Sequence, residues 1–375
     1  MFQTAKDART WAQIDLGALK RNLDIAKRPG AAVMCVIKAD AYGHGAIECG
    51  RFLQANGADA FAVACLSEAL ELRNAGITLP ILVFGYTGGD YAQVLAQHDL
   101  TQTLVDEAHA CELNAAATRM GVQVKCHIKL DTGMSRSGLF AQGEPHDAVT
   151  AAARMHSLAG IRVTGLYSHL CVADAPSGEA FTRTQYERFI AVRDGLIALG
   201  IDPGVCHIAN SAAILSYPWM RLDMVREGIM LYGLYPDNLP REAGALSPVM
   251  TLKSRVVQLK EVPAGATVSY GRRYTAAGAR TLAVIGAGYA DGYSRKLSNN
   301  GWITVNGRRC EQVGTVCMDA FMADVTGLDV ARGDEVVLFG EGGMSLEEFA
   351  TRAGTINYEI PCLVTARARR AYVNG

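Results

Sequence analysis

In the segment VIKADAYGHG, Val36–Gly45, Lys38 stands directly behind a short apolar run. An amine at the end of a buried strand can attack a carbonyl and, once desolvation suppresses its charge, can serve as a base. A lone lysine in such a place is more often simply solvated, so the reading needs company. HIKLDTGMSRSG, His127–Gly138, supplies some: Lys129 lies inside an apolar run, and Arg136 follows in a loop of Gly and Ser. A planar guanidinium is the natural clamp for a carboxylate. Lys129, if it points inward, is costly to bury as a cation and needs a partner or a modification. His169 lies near the end of an apolar run, in GLYSHL, Asn210 and Ser211 follow His207 in HIANSA, and Arg226 ends MVR with Gly228 and Ile229 behind it. A serine hydroxyl and backbone amides of this kind are donors for a phosphate.

The elements that would position these groups are eight short runs: Val33–Ile37, Phe61–Cys65, Ile81–Phe84, Thr103–Val105, Val124–Leu130, Val163–Leu170, Val205–Ala209 and Met224–Arg226. All are apolar or β-branched, as parallel strands buried on both faces should be. Helical patterns lie between them, for example Ser67–Ala75 and Asp106–Met120, and Gly57, Gly76, Gly121 and Gly200 stand where helices would close. The alternation predicts a (β/α)8 barrel, although a doubly wound open sheet satisfies the same count. In a barrel, the polar groups would gather at the C-terminal mouth, where the loops after the seventh and eighth strands commonly hold phosphate. Beyond Pro236–Pro248 the texture changes to short strands and Gly-containing turns, with Asn306-Gly307 marking a two-residue hairpin. The expected fold is α/β: a barrel over residues 14–242, then a mainly β domain over 243–375, which a strand in the opening segment (residues 1–13) joins. GAGYADG, Gly286–Gly292, imitates a dinucleotide fingerprint, but Asp291 occupies the third glycine's place and no helix follows.

Acidic and basic residues nearly cancel, 37 against 36, with no block of like charge, which argues against a nucleic-acid or anionic-membrane partner. The ten cysteines form no C-x-x-C pair, so reduced thiols in a cytoplasmic protein are expected, and no metal site. No segment has the length and apolarity of a signal peptide or a membrane span.

Taken together, VIKADAYGHG and HIKLDTGMSRSG resemble the alanine racemases, pyridoxal-phosphate enzymes of fold type III, and the likeness runs from TWAQIDL to INYEI. The resemblance implies that Lys38 holds pyridoxal phosphate covalently and that Lys129 is a barrel lysine, often carbamylated, beside a carboxylate-orienting Arg136. It places a phosphate cup on Tyr42, Ser211, Gly228, Ile229 and Tyr358, with His169 and Asn210 also at the cofactor, and Arg226 facing the pyridine nitrogen. VSYGRRY carries the implied catalytic Tyr270; GYADGY and TVCMDAF carry the substrate-contacting Tyr289, Met318 and Asp319. These four would serve the active site of the other subunit of a homodimer. Three positions depart from the family pattern: Glu227 where proline is usual, Ala287 before Gly288, and Cys171 after the His169–Leu170 pair.

What this implies is interconversion of L- and D-alanine by two bases, supplying D-alanine for peptidoglycan or catabolising it. Lys38 would work on one face of the α-carbon and the partner's Tyr270 on the other. Tyr270 needs a phenol more acidic than its ordinary pKa of about 10, and a hydrogen-bond chain through His169 to Arg226 would provide the positive field. Arg226, with a guanidinium pKa above about 12, would leave the pyridine nitrogen unprotonated and favour racemisation over decarboxylation. A serine or broad-specificity racemase is the alternative enzyme; Tyr358, packed over a small methyl pocket, favours alanine. A non-catalytic pyridoxal-phosphate carrier would lack the second domain and Tyr270.

Overall fold

The structure is a computed structural model that describes residues 8–27, 31–236, 239 and 246–375. Its first strand, β1 (Thr10–Asp15), leads into a helix, Leu16–Ala26, that Asp15 caps by accepting from the Ala18 amide. There follow β2 (Ala32–Val36), β3 (Ala60–Val63), β4 (Ile81–Val83), β5 (Leu100–Leu104), β6 (Val124–Asp131), the short β7 (Leu139–Phe140), β8 (Ile161–Tyr167), β9 (Val205–His207) and β10 (Met224–Glu227). Eight of these pair in parallel in the order β10-β2-β3-β4-β5-β6-β8-β9, with β7 beside β6. The ring closes where the Arg226 amide donates to the Ala209 carbonyl (2.9 Å) and the Asp223 amide to Cys206 (3.2 Å). The expected barrel is therefore present, and the open doubly wound sheet is excluded.

Strand alternation sorts the side chains. Val33, Cys35 and Ile37 face outward into the layer shared with the helices, whereas Met34 and Val36 join Ala60, Ala62, Leu82 and Tyr167 in a separate cluster inside the ring. The same parity carries Lys38 inward beyond Val36. It also carries His127 and Lys129 inward between the outward Cys126, Ile128 and Leu130, and Arg226 inward beside the outward Val225. Strand β5 starts earlier than its apolar residues suggest. Gln102 and Thr103 are fully buried there, Gln102 donating to the Gly85 carbonyl and Thr103 meeting the Tyr167 hydroxyl at 2.9 Å. Glu227, one of the three departures, points outward into the apolar layer. It is fully buried, and neither carboxylate oxygen has a hydrogen-bond partner. Burial holds its carboxyl far above the usual carboxylate range.

The second region comprises β11 (Met250–Val262), β12 (Thr267–Val268), β13 (Tyr274–Thr275), β14 (Arg280–Ile285), β15 (Trp302–Val305), β16 (Arg308–Val313), β17 (Phe321–Asp324), β18 (Glu335–Phe339) and β19 (Arg369–Val373). Its main sheet runs β14-β17-β16-β15-β18-β11-β1-β19, and β14 pairs again with the far end of β11. β1 thus lies in this sheet, antiparallel to β11 and parallel to β19. Asn306 (φ 50°) and Gly307 (φ 72°) turn β15 into β16 with both residues left-handed, the geometry a two-residue hairpin requires. The domain divide expected at 242–243 falls outside the described residues. Among the described residues no helix is long and apolar enough to cross a membrane.

Candidate active site

A cavity of about 1020 Å³ opens at the C-terminal mouth of the barrel. Lys38, Tyr42, Lys129, Arg136, His169, Asn210, Ser211, Arg226, Gly228, Ile229 and Tyr358 all line it. The barrel groups singled out in the sequence, together with Tyr358 from the second region, therefore converge on one space.

Lys38 begins a turn that the sequence pattern read as an ordinary loop. Ala39, Asp40, Ala41 and Tyr42 all lie at φ 51–53°, a full turn of left-handed helix. For L-residues this costs roughly 1–2 kcal/mol each, so neighbours must impose it. Glu68 accepts from the Ala39 amide (2.8 Å), Asp40 from the Ala46 amide (2.7 Å), and Arg370 donates twice to the Gly43 carbonyl (2.9 and 2.7 Å). The turn aims the Tyr42 ring against Tyr232, with centroids 4.9 Å apart, and its hydroxyl toward Gly228. A Cβ built on Gly228 would sit 3.4 Å from that hydroxyl and 3.5 Å from the Ser211 hydroxyl. The glycine thus keeps open a cradle flanked by two hydroxyls. Ser211 Oγ is itself held by the Gly228 and Met230 amides (3.0 and 3.3 Å), and Asn210 caps the following turn while donating to the Leu170 carbonyl.

Arg226 spends its terminal nitrogens on the protein. Nη1 donates to His207 Nδ1 (2.8 Å) and the His207 carbonyl (3.0 Å); Nη2 donates to the Ser168 and Ile208 carbonyls (2.6 and 3.0 Å) and lies 3.4 Å from His169 Nδ1. The guanidinium also lies over the Tyr167 ring, 5.2 Å from its centroid. Burial, opposed in part by Tyr167, lowers its pKa to about 10, below the range expected from the residue type but still cationic at neutral pH. Behind it, His207 Nε2 meets His127 Nδ1 at 3.0 Å. Burial first, then the Arg226 charge, keep His207 and His169 far below the ordinary histidine range and lower His127 to about 4. All three rings are therefore neutral. Each accepts from, or relays to, the guanidinium without adding charge.

The two cavity lysines are depressed. Burial, then Arg136, lower Lys38, and the same causes with Arg226 lower Lys129 to about 8. Lys129 Nζ donates to Ser137 Oγ at 2.6 Å, while Asp131 accepts from the Gly133 and Ser135 amides and shapes the Arg136 loop.

Tyr270, Tyr289, Met318 and Asp319 do not line this cavity. They lie on second-domain loops, with Tyr270, Met318 and Tyr289 72, 51 and 41% exposed. Sequence reasoning gave no role to Tyr167, stacked on His207 at 4.9 Å, or to His127. Both stand two residues before a recognised group (His169, Lys129), so strand parity was the signal that could have found them. Gly165 was likewise unread: a Cβ there would lie 2.6 Å from the His127 ring.

Two family models match, described as the N-terminal domain of alanine racemase over residues 14–236 and its C-terminal domain over 249–372. The chain belongs to the alanine racemase family. It is 43% identical over 372 residues to an alanine racemase of Desulfovibrio desulfuricans, covering 98% of this chain and 99% of that one. It is 42% identical to an alanine racemase of Methanococcus maripaludis, covering 97 and 98%. An alanine racemase structure from Clostridium difficile superposes with a TM-score of 0.92 at 38% identity, covering 98 and 96%. The resemblance read from the sequence motifs is thus established, and the chain is an enzyme of the isomerase class, as the alanine racemases are.

Proposed function

We propose that this chain interconverts L- and D-alanine, using pyridoxal phosphate held in the barrel mouth and two bases, Lys38 and the Tyr270 of a partner subunit. The observation that carries the reading is the meeting, in one cavity, of a depressed amine, a Tyr42–Ser211–Gly228 cradle and a buried guanidinium. These residues suit the cofactor. Lys38 would hold it; Tyr42, Ser211, the Gly228 and Ile229 amides and Tyr358 would take its phosphate; Arg226 would face its ring nitrogen. When bound, the cofactor supplies an electron sink for the pair left at the substrate's α-carbon.

Arg136 orients the substrate carboxylate at the cavity wall. Lys38 Nζ, its charge disfavoured by burial, takes the α-proton on one face. Tyr270 Oη of the partner returns a proton on the other, with Arg226, reached through the neutral His169, as the source of positive field. Groups of this kind typically contribute about 10²–10⁴-fold each. Arg226 carries only N–H groups and stays cationic with a pKa of about 10, so it would face the ring nitrogen as a fixed cation that does not surrender a proton. That choice restrains the sink and favours return of the proton over loss of the carboxylate. Tyr358 narrows the space near the substrate side chain and favours alanine over serine. Within this reading the barrel spans residues 14–242 and the β domain 243–375 with β1, the enzyme is a cytoplasmic homodimer, and Lys129 carries a carbamate. Its product would feed peptidoglycan, or its substrate be catabolised.

Purified protein loaded with pyridoxal phosphate should racemise L-alanine far faster than L-serine, and borohydride should fix the cofactor to the peptide containing Lys38. Label on another lysine, or a preference for serine, would overturn the assignment.

A further inference from the structure

Asp291 stands where the imitation dinucleotide fingerprint fails, and none of the roles above uses it. Its side chain is 1% exposed, yet it is a full carboxylate node. Arg9 Nη2 donates to both its oxygens (3.2 and 3.1 Å), the Gly288 amide donates to Oδ2 (3.0 Å), and Arg367 Nε lies 3.4 Å from Oδ1. The same two arginines reach the next loop: Arg367 Nη2 pairs with Asp319 Oδ1 at 2.7 Å, and Arg9 Nη1 donates to the Asp319 carbonyl at 3.2 Å. Arg9 immediately precedes β1 and Arg367 lies two residues before β19. The node therefore ties two loops to segments near both ends of the chain.

Those loops carry the exposed residues assigned to the partner's site. The Tyr289 and Ala290 amides donate to the Cys317 and Met318 carbonyls (both 3.1 Å), an approach only Gly288 permits, since a Cβ there would collide with both carbonyls. Thr315 Oγ1 donates to the Tyr270 carbonyl (2.7 Å), and Ser269 Oγ donates to the Thr315 carbonyl (2.6 Å). Ser269 holds φ 66° and ψ −174°, a conformation almost confined to glycine and sustained only when the surroundings impose it. Tyr270, Tyr289, Met318 and Asp319 are thus one hydrogen-bonded cassette with a buried anchor.

We infer that Asp291 is a positioning residue for the partner subunit's active site: with Arg9 and Arg367 it fixes the cassette that Tyr270 presents across the dimer. This rests on the shared-site reading above. An error of about 1 Å in such a placement costs on the order of 10²-fold in turnover.

The test uses cofactor-loaded homodimers and two-tag-purified mixed dimers. Asp291→Asn should lose about 10- to 100-fold in kcat, yet bind pyridoxal phosphate in its own barrel with parent-like absorbance, which general damage to the fold would not allow. Paired with a Lys38→Ala chain, the Asp291→Asn chain keeps the only competent lysine and receives an intact cassette, so the mixed dimer should recover half the parent activity. A Lys38→Ala with Tyr270→Ala mixed dimer is the control and should also reach half. If the control recovers while the Asp291→Asn pair stays at about half its homodimer's level, with its one remaining lysine site still impaired, Asp291 acts within its own chain and the inference is wrong although the site is shared. If the control stays dead, the shared-site reading falls and takes the inference with it. Parent-like turnover of the Asp291→Asn homodimer also overturns it. Should Asp291→Asn fail to fold, Arg367→Gln, changed at a half-exposed side chain that touches both Asp291 and Asp319, enters the same pairings with the same expected outcomes.

Discussion

Lys129 and Glu227 are both buried against their charge, and each yields a pH dependence of definite sign. Lys129 loses its proton through about pH 8, because burial and the cations Arg136 and Arg226 disfavour the ammonium. Only the neutral amine attacks carbon dioxide, and the resulting negative carbamate would pair with Arg136 where the ammonium repels it. Protein equilibrated with ¹³C-labelled bicarbonate should show a carbamate carbonyl signal that grows as pH rises through about 8 and is absent from Lys129→Met; a signal unchanged by that substitution rules the site out. Glu227 is the reverse case. Its folded-state pKa lies far above its unfolded one, so below the ordinary carboxylate range there is no penalty, and one grows as pH rises because the folded state must keep a proton the unfolded chain releases. Glu227→Met, which also removes two orphaned oxygens, should stabilise the protein by about 1–3 kcal/mol at neutral pH. The gain should shrink toward pH 4 in urea titrations. A gain independent of pH would mean that Glu227 is ionised and partnered in the folded enzyme.

Among the elements, the left-handed turn Ala39–Tyr42 most directly sets the chemistry, since it aims Lys38 and Tyr42 together. Gly43 (φ 79°) closes it against the segment around Pro361, and a Cβ there would run into the Pro361 carbonyl. Gly121 (φ 67°) ends the helix Glu107–Met120 with nothing within 4 Å of its virtual Cβ. Gly121→Ala therefore meets only the backbone cost of the left-handed region, about 1–2 kcal/mol. Gly43→Ala adds overpacking, a further roughly 1–3 kcal/mol, and should also weaken pyridoxal-phosphate binding. Equal urea midpoints for the two variants would show that the turn yields without cost.

For the whole molecule, one chain gathers the groups of the proposed cofactor site into a single cavity but leaves Tyr270, Met318 and Tyr289 exposed on the second domain, outside its lining. Turnover should therefore depend on dimerisation while cofactor binding does not. On serial dilution, specific activity should fall in step with the dimer fraction from sedimentation, while the bound-cofactor absorbance per chain stays constant. Activity that persists in verified monomers would place both bases in one chain.

Local pattern determined much of this protein. Short apolar runs declared the barrel strands, period-two alternation carried Lys38, Lys129, His169 and Arg226 to one mouth, and Asn306-Gly307 declared its hairpin. These are properties of residues adjacent in the chain, governed by backbone geometry that repeats wherever the pattern does. Tertiary structure alone decided the rest. The left-handed turn exists because Glu68 and Arg370 hold it from afar. Arg226 falls to a pKa of about 10 because the closed ring removes water from it. Gly165 is needed because His127 lies across the neighbouring strand. Asp291 became a node because Arg9 and Arg367, 282 and 76 residues away, fold back onto it. Burial and long-range hydrogen bonding depend on which distant segments share a space, and no local periodicity carries that information.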